Sequence, residues 1–127
     1  MSNDNRPLSP HLQVYRLPML AWLSILHRGT GVALSFGALL LPAALVAIAA
    51  GGDSYECIMQ MFSAWYGKII LIGFTFALNY HLCNGIRHLF WDAGYGFDID
   101  KADKTGIASI VVSILLTAGV WAVACLA

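Results

Sequence analysis

The chain has 127 residues, of which 59% are apolar and 11% are charged, and its formal net charge is zero. A soluble domain carries about 25% charged residues because its surface faces water, so this composition excludes an ordinary soluble globule. A neutral chain also lacks the basic surface that binds nucleic acid. Residues 29–52 and 105–127 contain no charged side chain. This uneven distribution predicts an all-α membrane protein.

The first sixteen residues are polar and include two prolines. They lack the apolar core of a cleavable signal peptide and the Arg- and Ser-rich amphipathic pattern of a mitochondrial transit peptide. We therefore expect a bacterial protein as translated, with the mature form of an organellar protein as the alternative.

The first predicted span covers residues 29–50 and ends at the turn signal in residues 51–53. A helix rises about 1.5 Å per residue, so roughly 20 apolar residues cross a hydrocarbon core of about 30 Å. Pro18 is a favourable first residue of a helix, so the helix can begin well before the span. The apolar segment 19–26 would then lie beneath lipid headgroups or under a partner protein.

Three polar side chains share one face at the start of this helix. Ser24 lies three residues before His27 and four before Arg28, which places all three on the same side. Such a group can bind an acidic headgroup, a haem propionate or a quinone carbonyl. The alternative is that Arg28 only anchors the helix by reaching lipid phosphates. Gly29 and Gly31 follow, which favours close approach by a neighbouring helix or a ligand.

The second predicted span covers residues 68–89 and contains polar residues inside an apolar helix. Ionisable groups inside a bilayer are costly and are therefore candidates for function. His81 follows Lys68 by thirteen residues and precedes His88 by seven, so it lies within the membrane. Seven residues complete about two turns, which places His81, Gly85 and His88 on one face.

This face suits a haem that lies along the helix. His81 would bind the iron, Gly85 would admit the flat macrocycle and His88 would meet a propionate at the water boundary. The alternative is that His81 only hydrogen-bonds another helix and that Gly85 only permits close packing. No second histidine of this chain is predicted inside the membrane. A six-coordinate haem would therefore need its other axial ligand from another chain.

The third predicted span, residues 106–126, shows no cluster of polar residues, and we predict that it serves packing alone. The cysteines have no metal-ligand spacing and are interpreted as small apolar packing residues. They are Cys57, Cys83 and Cys125.

Lys and Arg residues predict the orientation, because cytoplasmic segments carry an excess of them. They are Arg6, Arg16 and Arg28 in the N-terminal segment, Lys68 in the first loop, and Arg87, Lys101 and Lys104 around the second loop. We therefore expect the N-terminus and the second loop on the cytoplasmic side, or on the matrix side of an organelle. Residues 1–127 are predicted to form one transmembrane domain.

Two segments resemble the signatures of the succinate dehydrogenase cytochrome b subunit family. The first is Arg-Pro-Leu-Ser-Pro-His at residues 6–11, followed by Ser-Ile-Leu-His-Arg-Gly-Thr-Gly at residues 24–31. The second, within residues 81–92, has a His, three residues, a Gly, then Arg-His-Leu and a following Asp. Both signatures, their order and the three spans are similar to the mitochondrial and alphaproteobacterial branch of that family.

The resemblance implies a multi-pass inner-membrane anchor within a larger complex. Members anchor a flavoprotein, which carries FAD and oxidises succinate, and an iron–sulfur protein, whose clusters pass electrons to ubiquinone. A second anchor subunit completes a heterodimeric helical bundle around haem b. No residue of this chain would then bind succinate.

The resemblance also implies roles for individual residues. His81 would be one axial ligand of the haem iron, with the other ligand supplied by the second anchor. Gly85 would pack against the haem, and His27, Arg28 and His88 would lie near its propionates. Ser24 and Arg28 would contribute to the ubiquinone site.

Two alternatives stay open on the sequence alone. A quinol:fumarate reductase anchor has the same architecture and works in the reverse direction. A small transporter or a structural membrane adaptor would instead purify alone, without haem or large soluble partners.

Overall fold

The computed structural model describes residues 15–126, and every element within that range is an α-helix. The elements are α1 (Met19–Ala50), α2 (Gly52–Ser63), α3 (Trp65–Asp92) and α4 (Ile99–Leu126). Helices α1, α3 and α4 are long and apolar enough to cross a membrane. The prediction of an all-α protein with three membrane-length helices agrees with this architecture. The signature at residues 6–11, with Arg6 of the orientation argument, lies outside the described residues.

Helix α1 begins ten residues before the uncharged span, directly after Pro18. The extended backbone of Pro18 cannot continue the helix, but its carbonyl accepts a hydrogen bond from the amide of Ala21 at 3.0 Å. The 32 residues of α1 give a length of about 48 Å. This exceeds a hydrocarbon core of about 30 Å, so the first turns extend beyond the predicted span.

A short helix, α2, occupies the connection for which the sequence analysis predicted only a loop. It follows two glycines with positive φ, Gly51 at 67° and Gly52 at 55°, a conformation that side chains with a Cβ disfavour. Helix α3 then begins after Ala64. Gly67 lies against the end of α2, where a Cβ atom would collide with the carbonyl oxygen of Met61. The glycine therefore allows α2 to fold back onto the start of α3.

Helix α3 is the centre of the bundle and packs against both α1 and α4. Tyr80 is fully buried between them, and its hydroxyl donates to the carbonyl of Leu23 on α1 at 2.9 Å. On α4, a Cβ atom at Gly106 would lie 2.5 Å from Cδ1 of Leu23. The three long helices thus meet near one end, where small residues let them approach. Most other large apolar side chains are exposed, as a bilayer or protein partners require.

Arg87 joins α3 to α4 from a buried position, with only 5% of its surface exposed. Its Nε donates to Oγ1 of Thr105 at 3.2 Å, and its Nη2 donates to the carbonyl of Ala102 at 3.1 Å. The remaining terminal nitrogen, Nη1, donates to Oδ1 of Asn84 at 3.1 Å. The guanidinium carbon also lies 4.0 Å from the centre of the Trp91 ring. The sequence predicts a charge that sets orientation at Arg87 and places the residue in the second signature, but its role in connecting two helices was not predicted.

Helix α4 carries a stripe of buried hydroxyl groups towards α3, formed by Ser109, Ser113 and Thr117. Each hydroxyl donates to the carbonyl four residues earlier in its own helix. The stripe also bonds across the interface, because Nδ2 of Asn79 donates to Oγ1 of Thr117 at 3.1 Å. The prediction that the third span has no polar cluster is therefore wrong. Small hydroxyls that are satisfied by their own backbone do not stand out in an apolar sequence.

Candidate functional site

Three histidines gather where α1 meets α3. The ring of His27, from α1, stacks on His81 with 4.0 Å between centroids and 14° between planes. The same ring lies 5.1 Å from His88, tilted by 34°. All three side chains are half-buried. The structure therefore brings together the three histidines that the sequence analysis placed around a haem.

The hydrogen bonds of His81 fix which ring nitrogen carries the proton. Its Nδ1 lies 3.1 Å from the carbonyl oxygen of His27. A carbonyl oxygen can only accept, so Nδ1 of a neutral His81 ring must be the donor. The hydroxyl of Thr30, 3.3 Å from Nδ1, itself donates to that carbonyl. A neutral His81 consequently has an uncommitted lone pair on Nε2, the arrangement in which metal-binding histidines are usually held.

Two glycines, one on α1 and one on α3, lie beside these rings. A Cβ atom at Gly31 would lie 3.0 Å from Cε1 of His81, closer than an ordinary contact. A Cβ atom at Gly85 would lie 3.7 Å from Cε1 of His27, at ordinary contact distance. Gly31 therefore lets α1 pass close to His81. At Gly85 a Cβ atom would fit beside the His27 ring, so the approach of α1 does not require this glycine.

The histidine cluster has an unsatisfied polar atom of its own. Among the described residues, nothing hydrogen-bonds Nδ1 of His27, although this atom is buried. His88 continues the cluster towards the end of α3, where its ring meets Trp91 edge-on at 5.0 Å between centroids. A buried nitrogen without a partner is costly. It marks a place where a ligand would complete the structure.

Ser24 and Arg28 lie on α1 beside this cluster. Ser24 is half-buried and Arg28 is exposed. Arg28 lies near enough to His88 for its positive charge to act on that ring. Among residues 15–126, no hydrogen bond joins Ser24 or Arg28 to the histidines. The hydroxyl and guanidinium therefore lie next to the cluster and take no part in its hydrogen bonds.

Two groups that orient His81, the His27 carbonyl and the Thr30 hydroxyl, were not predicted from the sequence. A main-chain carbonyl has no signal in the sequence. Thr30 lies three residues after His27, so its position on the same face of α1 was predictable. What was not predictable is the register of α1 against α3, which decides whether Thr30 meets His81.

Comparisons with known proteins agree on one family. The model of the succinate dehydrogenase/fumarate reductase transmembrane subunit family matches residues 2–120. The chain is 48% identical over 116 residues to the succinate dehydrogenase cytochrome b556 subunit of Paracoccus denitrificans, covering 91% of this chain and 89% of that one. It is 47% identical over 118 residues to the subunit of the same name from Rickettsia felis, covering 93% and 92%.

A mitochondrial relative is similar over a comparable region. The chain is 36% identical over 120 residues to the mitochondrial succinate dehydrogenase cytochrome b560 subunit of Sus scrofa, covering 91% of this chain and 70% of that one. The resemblance stated from the two signatures, with its alphaproteobacterial and mitochondrial branch, is confirmed by these matches.

Proposed function

Because the chain belongs to the succinate dehydrogenase/fumarate reductase transmembrane subunit family, we propose that it is a cytochrome b membrane anchor of succinate dehydrogenase. In this function it holds the flavoprotein and iron–sulfur subunits at the membrane and binds haem b together with a second anchor subunit. It also contributes to the site where ubiquinone receives electrons from succinate. Succinate itself is oxidised on the flavoprotein.

The observation that carries this proposal is the state of His81. Its Nδ1 is engaged by the His27 carbonyl at 3.1 Å, so Nε2 of the neutral ring is available to hold the haem iron. When bound, haem b would supply one-electron transfer at this position. His81 would be the iron ligand from this chain, and the second anchor of a heterodimeric bundle would supply another.

Other residues of the cluster fit a haem as well. A haem carries two propionates, whose negative charges need cationic or hydrogen-bonding partners where they leave the membrane. Arg28 supplies a positive charge, and His27 and His88 supply ring nitrogens beside it. The buried Nδ1 of His27, without a partner among the described residues, would gain one. Gly85, next to the His27 ring, lies in the region where the macrocycle would pack.

Ubiquinone reduction needs donors that polarise a quinone carbonyl and stabilise the developing negative charge. Ser24 and Arg28 offer a hydroxyl and a guanidinium at one end of α1. The apolar side chains around them are exposed, including Trp22 and Ile25. An isoprenoid quinone and a docked iron–sulfur subunit would cover this surface.

The location follows from the helices and the relatives. Three membrane-length helices and similarity to bacterial and mitochondrial cytochrome b subunits identify an inner-membrane protein. We place the N-terminus on the cytoplasmic or matrix side, since the end of α1 that carries Arg28 and the end of α3 that carries Arg87 would then face the compartment of the soluble subunits.

The haem assignment is tested with His81→Ala in the complex purified in mild detergent. The absorption spectrum of reduced minus oxidised protein should lose the b-type band, while a gel should still show four subunits. Asn79→Ala is the matched control, because it removes a polar side chain of the same helix that bonds Thr117 on α4 and is not assigned to the haem. A variant His81→Ala with an unchanged spectrum would refute the ligand assignment.

The quinone assignment is tested with Ser24→Ala and Arg28→Ala. Each should slow ubiquinone reduction by more than it slows succinate oxidation with an artificial acceptor. Ser35→Ala is the control on the same helix, because Ser35 is exposed and bonds only to its own helix among the described residues. Equal loss of both activities would point to failed assembly and would remove the quinone role from these residues.

A further inference from the structure

A second concave region lies away from the histidines, between the last turns of α3, the α3–α4 connection and the first turns of α4. Its volume is about 520 Å³. Ile86, Phe90 and Tyr95 line its apolar part, and Arg87, Lys101 and Lys104 are the cationic residues that line it. We call this region the basic groove. Neither the haem nor the quinone assignment uses it.

The apolar wall of the basic groove lies on the side of α3 opposite His81. Ile86 follows His81 by five residues and Phe90 follows it by nine, which rotates them by about 140° and about 180° around the helix. Trp91, which also lines the groove, is the residue that meets His88 of the histidine cluster. The groove also lies at the end of a membrane-length helix, beside Trp91 and Tyr95, the residue types that favour the level of lipid headgroups.

The charges around the groove are segregated. Three cationic residues line it, and no acidic residue does. The acidic residues of this region lie outside the lining and are Asp92, Asp98, Asp100 and Asp103. Lys101 does bond Asp98 at 2.7 Å, but the two side chains are 70% and 68% exposed. Such an exposed pair is weak, so Lys101 can readily exchange Asp98 for a stronger anionic partner.

Arg87 contributes a fixed positive charge to the groove. Its three donor nitrogens are held by Asn84, Ala102 and Thr105, so the guanidinium keeps its place when the groove is empty or filled. Lys101 and Lys104 are exposed and lie three residues apart on α4, on one face of its first turns. The two exposed ammonium groups of Lys101 and Lys104, together with the fixed guanidinium of Arg87, can surround a phosphate.

We propose that the basic groove binds an anionic phospholipid. Its phosphate lies between Lys101 and Lys104, and one acyl chain runs along Ile86 and Phe90 into the membrane. Basic pockets between membrane helices at the cytoplasmic boundary suit acidic headgroups. A soluble phosphate would leave the apolar wall uncovered, whereas a phospholipid satisfies both parts of the groove. The proposal does not rest on the haem or quinone assignments.

The test measures lipid retention by native mass spectrometry of the complex purified in mild detergent and stripped of lipid. Phosphatidylglycerol or phosphatidylcholine with identical acyl chains is then added back at matched concentrations. We expect the wild type to retain one phosphatidylglycerol more tightly than phosphatidylcholine. The double variant Lys101→Gln/Lys104→Gln should weaken phosphatidylglycerol retention by about thirtyfold. Lys68→Gln, at the other end of α3, should leave it unchanged.

A second variant, Ile86→Trp, keeps every charge but fills the apolar wall, and it should weaken retention of both lipids. Equal retention of phosphatidylglycerol by the wild type and the double lysine variant would overturn the proposal. Equal retention of the two lipids by the wild type would also overturn it, because the headgroup would not be recognised. Loss of a protein subunit from the double variant, with lipid retention unchanged, would assign the lysines to a protein contact instead.

Discussion

Helix α3 has two polar interfaces, and they differ in how far their hydrogen bonds are completed. Towards α4, the Arg87 side chain is almost fully buried and donates through all three of its nitrogens. Towards α1, His27, His81 and His88 are half-buried, and Nδ1 of His27 has no partner among the described residues. One interface is nearly closed, with Nδ2 of Asn84 as its unpartnered atom. The other interface leaves a buried histidine nitrogen without a hydrogen-bond partner among the described residues.

The difference separates polar residues that hold the membrane helices together from those that the proposed function assigns to a cofactor. A polar group in an apolar surrounding destabilises the fold unless it has a hydrogen-bond partner. Arg87 finds its partners within the chain and so stabilises the α3–α4 contact. The histidines have hydrogen-bond partners for only some of their ring nitrogens. His81 is oriented through Nδ1, and its Nε2 is left available. The proposed cofactor would complete the second interface.

The comparison is tested most strongly by removing the two arginines in turn. Arg87→Met should destabilise the complex by about 2 kcal/mol, because it leaves buried partners without a charged donor. Arg28→Met should lower the midpoint of thermal unfolding by less, since no hydrogen bond ties Arg28 to the other described residues, yet it should slow ubiquinone reduction. Thermal unfolding followed by tryptophan fluorescence measures the first effect, and steady-state kinetics measures the second. If both arginines altered stability equally, the distinction between the two interfaces would fail.

A smaller effect is expected where α1 passes His81. Gly31→Ala adds a Cβ atom 3.0 Å from Cε1 of His81, so the ring must move by a few tenths of an ångström. We expect a shifted b-type absorption band and redox midpoint with nearly unchanged amounts of assembled complex. Gly119→Ala is the control, since a Cβ atom there meets nothing within 4 Å. Identical spectra for both variants would mean that Gly31 does not position the iron ligand.

The smallest effect belongs to the hydroxyl stripe on α4. Thr117→Val removes the acceptor of the Asn79 side chain but keeps the shape of the residue. Hydrogen bonds between membrane helices average about 0.6 kcal/mol, so the expected loss of stability is of that order. Unfolding by a denaturing detergent measures it. A loss as large as that of Arg87→Met would show that the stripe, rather than the arginine, holds α3 to α4.

The sequence allowed prediction of the helical class, the three long helices and the grouping of His81 with His88, because each depends on spacing along one helix. Contacts between helices were harder to predict. Arg87 has the same charge whether it reaches water or a neighbouring helix, so its burial against α4 carried no signal. The stacking of His27 on His81 depends on the register between two helices, which residue spacing does not determine. Helix α2 was missed because its 12 residues mix polar and apolar side chains.

The unbroken course of α1 restricts where the chain can change its length during evolution. One residue inserted between His27 and Gly31 would rotate the preceding residues by about 100° and shift them by about 1.5 Å. Leu23 would leave Tyr80, and the His27 carbonyl would leave His81. Insertions and deletions in related sequences should therefore be absent from this segment. They should collect at the breaks between helices, namely Gly51, Ala64 and residues 93–98.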